Sequence, residues 1–164
     1  MLWIAASLFF LWCAFREVRA AVVPPPGFDQ TSPVYKPYLA LVLIGKIGIQ
    51  HPWCDRLSSY LSHPSRATEE ELSSLDMFTH ESMHVRGQLN EAKTECEAVQ
   101  RNYRAAKLLG VPDDIASKNA LDYYNILYKR RAIIGGLTGS YYSDQCAPGK
   151  AWDEHLEDST WRIN

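Results

Sequence analysis

The sequence predicts a mainly α-helical protein: a small helical domain in which one capped helix is followed by a second that folds back on it, trailed by an irregular C-terminal tail. Three observations carry this expectation. Apolar residues between positions 90 and 134 recur at three- and four-residue steps, the spacing of one helix face. Helix start signals stand before the helical stretches of the body, and glycine stands after each. From Leu137 onward the chain turns to loop formers, with Cys146, Pro148 and Gly149. The length of 164 residues allows one domain with a real core but not two comfortable ones.

In chain order, Leu2 to Phe15 is an uncharged apolar run of 14 residues, shorter than the ~20 a helix needs to cross a bilayer. It fits the apolar centre of a signal peptide, and Val18-Arg19-Ala20 offers small residues for cleavage after Ala20. Residues 1–20 therefore read as a signal peptide, with an uncleaved membrane anchor as the alternative and residues 2–15 as the point of membrane contact. Either way the body is exported, to be secreted, periplasmic or held at the cell surface. Val22-Val23-Pro24-Pro25-Pro26-Gly27 marks residues 21–37 as an extended linker, because consecutive prolines forbid helix. The domain then spans 38–164. Its first apolar run, Tyr38 to Ile49, is a buried helix or strand, and Ser62 to Arg66 reads as loop around Pro64.

Thr68 followed by Glu71 is a capping-box pattern, with Glu69, Glu70 and Glu71 in the first turn. That helix should run to about Arg86 and stop at Gly87. A second helix follows from about Asn90 to Leu109, closed by Gly110, with Ala92, Cys96, Val99, Tyr103 and Ala106 on its buried face. Pro112-Asp113-Asp114 opens a third, running to about Ile134 and ended by Gly135-Gly136, with Ile115, Ala120, Tyr123, Tyr124 and Leu127 as its buried stripe.

The formal net charge of -2 gives no reason to expect a nucleic-acid partner. The densest basic cluster, Lys129-Arg130-Arg131, reads as a solvated helix end. Cys54, Cys96 and Cys146 lack zinc-knuckle spacing, and their pairing is open. Cys96, on an apolar face, fits a buried thiol as well as a bridge.

The chemistry concentrates at His80-Glu81-Ser82-Met83-His84. Histidines four apart on a helix project from one face about one turn apart, so both imidazoles can reach one zinc ion. Glu81 stands at the flank, where a carboxylate can take a proton from zinc-bound water without ligating the metal. A catalytic zinc normally has a third protein ligand and an open position. If the second helix folds back after Gly87, its first turn faces the histidines. Glu91 can then donate a carboxylate oxygen, and Glu95, one turn on, can accept the free N–H of a ligating histidine. For a stabiliser of the oxyanion, Tyr123, Tyr124, Tyr141, Tyr142 and His155 are candidates, although tyrosine more often serves as core or rim. His51 and His63, beside prolines, should be solvent-exposed. There is no phosphate-binding loop and no G-x-S-x-G elbow.

The stretch His80 to His84 resembles the H-E-x-x-H of zincin metallopeptidases, and Asn90 to Glu95 resembles the N-E-x-x-[ST]-[DE] segment of gluzincins. That resemblance implies His80, His84 and Glu91 as ligands, Glu81 as general base and acid, and Glu95 as support for a histidine. Only six residues separate His84 from Glu91, as in compact members of that class. An alignment to H-E-x-x-H-x-x-G-x-x-[HD] instead uses Gly87 and puts Asn90 at the third-ligand position. With Cys146-Ala147-Pro148-Gly149 added, the chain also resembles uncharacterised exported bacterial proteins that carry such a helix pair. What this implies is an exported zinc-dependent metallopeptidase acting on a peptide or protein. The alternative is an exported or membrane-anchored zinc-binding or interaction module with little or no turnover.

Overall fold

A computed structural model of the chain describes residues 52–134 and 140–163. The expected leader, linker and apolar run, together with His51, lie outside the described residues. Within them the protein is mainly helical, without strands.

The first helix, α1 (Trp53–Ser62), is one that the sequence reading does not mark. Its stripe is short: Leu57 and Tyr60 are buried and Leu61 packs beside them, the i, i+3, i+4 set of a single face. At ten residues it draws its stability from the core it covers rather than from propensity. The segment expected as loop contains one 3₁₀ turn, Pro64–Arg66.

Helix α2 (Glu69–Val85) begins with the expected capping box. The Glu71 amide donates to Thr68 Oγ1 at 3.3 Å, and the Thr68 amide donates to Glu71 Oε2 at 2.8 Å. It ends where the backbone reverses at Gly87, whose φ of 98° is a left-handed conformation that costs glycine nothing. The Gln88 amide donates to Met83 O and the Gly87 amide to His84 O, the two bonds of a Schellman turn. Helix α3 (Glu91–Leu108) follows at once. Contacts between α2 and α3 run His84 to Glu91, His80 to Glu95 and Asp76 to Asn102, so the pair is an antiparallel hairpin.

Among the described residues, helix α3 packs against α2, the helical segments that follow it and the tail. Cys96, Val99, Tyr103 and Ala106 are buried as expected, while Ala92 is half-buried. Thr94, Glu95, Gln100 and Asn102 are buried too, because α3 is covered on several sides. The third expected helix is α4 (Asp113–Asp122), a wide π turn over Tyr123–Tyr128, and α5 (Lys129–Ile134). Tyr123, Tyr124 and Tyr128 from the wide turn enter the core, with Ile115 and Leu127 at its edge.

The tail, described over 140–163, has no regular structure and is tied to α3 by specific bonds. Cys96 and Cys146 form a disulfide, which answers the open pairing. Gln100 Nε2 donates to Trp152 O at 2.9 Å, and Gln100 Oε1 accepts from the Glu154 amide at 2.8 Å. Arg101 holds Glu154 with both terminal nitrogens, and the Thr160 amide donates to Gln100 O. An irregular segment needs such partners, since it cannot satisfy its own backbone.

Candidate metal centre

The hairpin turn brings the last turns of α2 against the first turn of α3. His80 and His84 come from one face of α2, and Glu91 is the first residue of α3. His80 Nε2 lies 3.0 Å from His84 Nε2 and 3.2 Å from a Glu91 carboxylate oxygen. That oxygen lies 3.4 Å from His84 Nε2. These three atoms form a triangle capable of holding one metal ion.

The far side of each imidazole is fixed. His84 Nδ1 lies 2.7 Å from the Gln88 carbonyl, which can only accept, so Nδ1 carries the proton. His80 Nδ1 lies 2.9 Å from Glu95 Oε2 and donates to that carboxylate. With both Nδ1 atoms committed as donors, the neutral rings present both Nε2 lone pairs to the shared point, and Glu91 adds a third. Only a cation, proton or metal, relieves the repulsion of such a set. Ligands ~2.1 Å from a tetrahedral ion stand roughly 3.4 Å apart, so the observed separations fit a zinc-sized ion.

Behind His80 is a polar cluster that motif reading does not reach. Glu95, 2% exposed, accepts from Tyr123 Oη at 2.9 Å and from Arg131 Nη1. Arg131 Nη2 also bonds Tyr123 Oη at 2.8 Å. Asp76 Oδ2 also lies within hydrogen-bond distance of Tyr123 Oη, whose single proton serves the two carboxylates between them, and Asp76 Oδ1 accepts from Asn102 Nδ2. Arg131 thus departs from the expected solvated helix end. Lys129 and Arg130 are exposed, but Arg131 turns inward because Glu95 offers a buried carboxylate to pair with. Asp76 and Arg131 belong to no motif, so only their meeting in space marks them.

The electrostatics follow from this arrangement. Burial opposes charge on His80, but the hydrogen bonds to Glu91 and Glu95 outweigh it and raise its pKa to about 10. The imidazoles of His80 and His84 beside it hold Glu91 down at about 2. Burial would push Glu95 up, yet His80 and Arg131 keep it below the usual carboxylate range. Burial, with the charge of Glu95, pushes Asp76 well above that range. Glu81 is also pushed up by burial.

Glu81, His80, His84 and Glu91 line one cleft of about 300 Å³, walled further by Trp53, Met77, Arg131 and Tyr141. The triangle lies in its lining, where Trp53 of α1 and Met77 of α2 supply apolar surface. Of the other candidates only Glu95 and Tyr141 share this cleft. Asn90 caps α3, its Oδ1 accepting from the Lys93 amide at 2.9 Å. It is exposed, and its side chain is spent on the helix end, which leaves the neighbouring Glu91 to face the histidines. Tyr141 lines the cleft, with its ring 5.7 Å from that of His80. Tyr123 stands behind the site, Tyr124 packs in the core, and Tyr142 packs against its edge. His155 is exposed beside Arg162, and His63 is exposed.

No protein-family description, curated protein or solved structure matches this chain.

Proposed function

We propose that this chain is an exported zinc-dependent peptidase, or a related amide hydrolase acting on a peptide or protein. The observation that carries the reading is the convergence of His80 Nε2, His84 Nε2 and a Glu91 oxygen with both Nδ1 atoms anchored as donors. Two imidazoles and one carboxylate suit zinc, and three protein ligands leave the fourth position for chemistry. When bound, zinc supplies a Lewis acid that polarises a carbonyl and makes nearby water acidic. The remaining work falls to the chain. Glu81, in the same cleft, takes the proton of the attacking water and returns it to the leaving amine. Its raised proton affinity suits a carboxylate that must hold that proton in mid-cycle. Of the candidates for stabilising the developing oxyanion, Tyr141 is the one that lines this cleft.

Export rests on the leader read from the sequence; among the described residues no helix is long and apolar enough to cross a membrane. The second reading, a zinc-binding module with little turnover, is favoured by the size of the cleft. About 300 Å³ is the lower end for a ligand site and leaves little room for an extended substrate.

Metal analysis of the purified chain should find about one zinc per molecule, lost in His80→Ala and His84→Ala. Glu81→Gln should keep the zinc and abolish hydrolysis of a peptide library. A wild type without metal sinks both readings, and a zinc-loaded wild type that cleaves nothing leaves the module.

A further inference from the structure

The wide turn of the last long helix has a consequence for the site. Tyr123 and Arg131 are eight residues apart and act on the same carboxylate, Glu95. In a regular α-helix eight residues turn through about 800°, which leaves the two side chains ~80° out of line. A π turn absorbs one extra residue and reduces the offset to ~20°. The π segment lies at Tyr123–Tyr128, between these two side chains. It turns Arg131 inward, while Lys129 and Arg130 stay exposed.

The geometry points to Arg131 as a positioning residue: through Glu95 it holds the His80 ring in the orientation that aims Nε2 at His84 and Glu91. The chain of contacts is short, buried at His80 and Glu95 and half-buried at Arg131. Arg131 Nη1 donates to Glu95 Oε1, and the other oxygen, Oε2, takes the His80 Nδ1 proton at 2.9 Å. Tyr123 Oη, 2.9 Å from Oε1, is bonded in turn by Arg131 Nη2. Each carboxylate oxygen therefore has its own donor, and the planar fork of Arg131, with one arm on Oε1 and the other on the Tyr123 hydroxyl, fixes these two groups relative to each other. Without the fork, Glu95 can rotate, and His80 loses the partner that sets its ring. Lysine would restore the charge but not the geometry. The inference rests on the metal-site reading above for its meaning, although the orientation of His80 can be read without metal.

The test uses the full chain and the variants Arg131→Gln, Arg131→Lys, Tyr123→Phe and Arg130→Gln. Zinc affinity is measured by competition with a chelator, and the His80 Nδ1 proton is followed by NMR in metal-free protein. Arg131→Gln should weaken zinc about 10–100-fold, the range for losing a partner that orients a ligand. It should also broaden or abolish the downfield His80 Nδ1–H signal. Arg131→Lys should recover part of both, and Arg130→Gln, which removes an exposed charge of the same helix, should change neither. If Arg131→Gln does not fold, Tyr123→Phe keeps the question open to decision, with a several-fold loss of affinity and a shifted Nδ1–H signal expected. Wild-type affinity together with an unchanged Nδ1–H signal in Arg131→Gln or Tyr123→Phe overturns the proposal. A wild type that binds no zinc overturns the metal reading instead, and the NMR comparison still decides whether Arg131 positions His80.

Discussion

Asn90 and Glu91 are adjacent, and the two motif alignments choose different ones as the third ligand; the structure separates their roles sharply enough to predict opposite phenotypes. Asn90→Ala removes one side-chain cap, the 2.9 Å bond from the Lys93 amide. A cap of this kind contributes about 1 kcal/mol. In a chain of this size that corresponds to a fall in melting temperature of roughly 2–4 °C. Its effect on metal should be slight, since no Asn90 atom belongs to the triangle. Glu91→Ala keeps the cap but removes the oxygen that stands 3.2 and 3.4 Å from the two histidine nitrogens. Loss of a ligand should cost more than the ~10–100-fold typical of losing a supporting partner. The paired assay is thermal melting of the metal-free proteins alongside zinc competition at fixed pH. If Asn90→Ala loses zinc while Glu91→Ala retains it, the assignment of Glu91 and the hairpin geometry behind it are wrong.

Two other perturbations test different parts of the structure. The disulfide joins positions 50 apart, so a loop of this length should contribute about 4 kcal/mol by restricting the unfolded chain; a Cys96→Ala, Cys146→Ala double variant should show a loss of that order in urea unfolding, and an unchanged midpoint would refute it. At pH 7 the metal-free His80, with its pKa near 10, holds a proton that a metal must displace. Zinc binding should then release about one proton per ion, and affinity should rise about tenfold per pH unit up to that value. Calorimetry in two buffers of different ionisation enthalpy would measure the release, and none at pH 7 would contradict the proton-filled site.

The local signals proved to be the most legible. The capping box at Thr68 and the glycine stops at Gly87 and Gly110 depend on neighbours within six residues, and the helix ends fall within one or two residues of those expected. Helix α1 escaped because ten residues with a narrow stripe carry too little periodicity, and its partners arrive from α2 and beyond.

The sequence by itself determined the helical class, the spacing that puts His80 and His84 on one face, and Glu91 and Glu95 on the next helix. Those are matters of period and of single residues, written along the chain. Only the tertiary structure decided that Gln88 offers its carbonyl to His84, that Cys96 meets Cys146, and that Asp76, Tyr123 and Arg131 close around Glu95. Each of these joins residues through a turn conformation, a tail path or a wide helical turn. Their energies depend on burial and distance, which no linear pattern encodes.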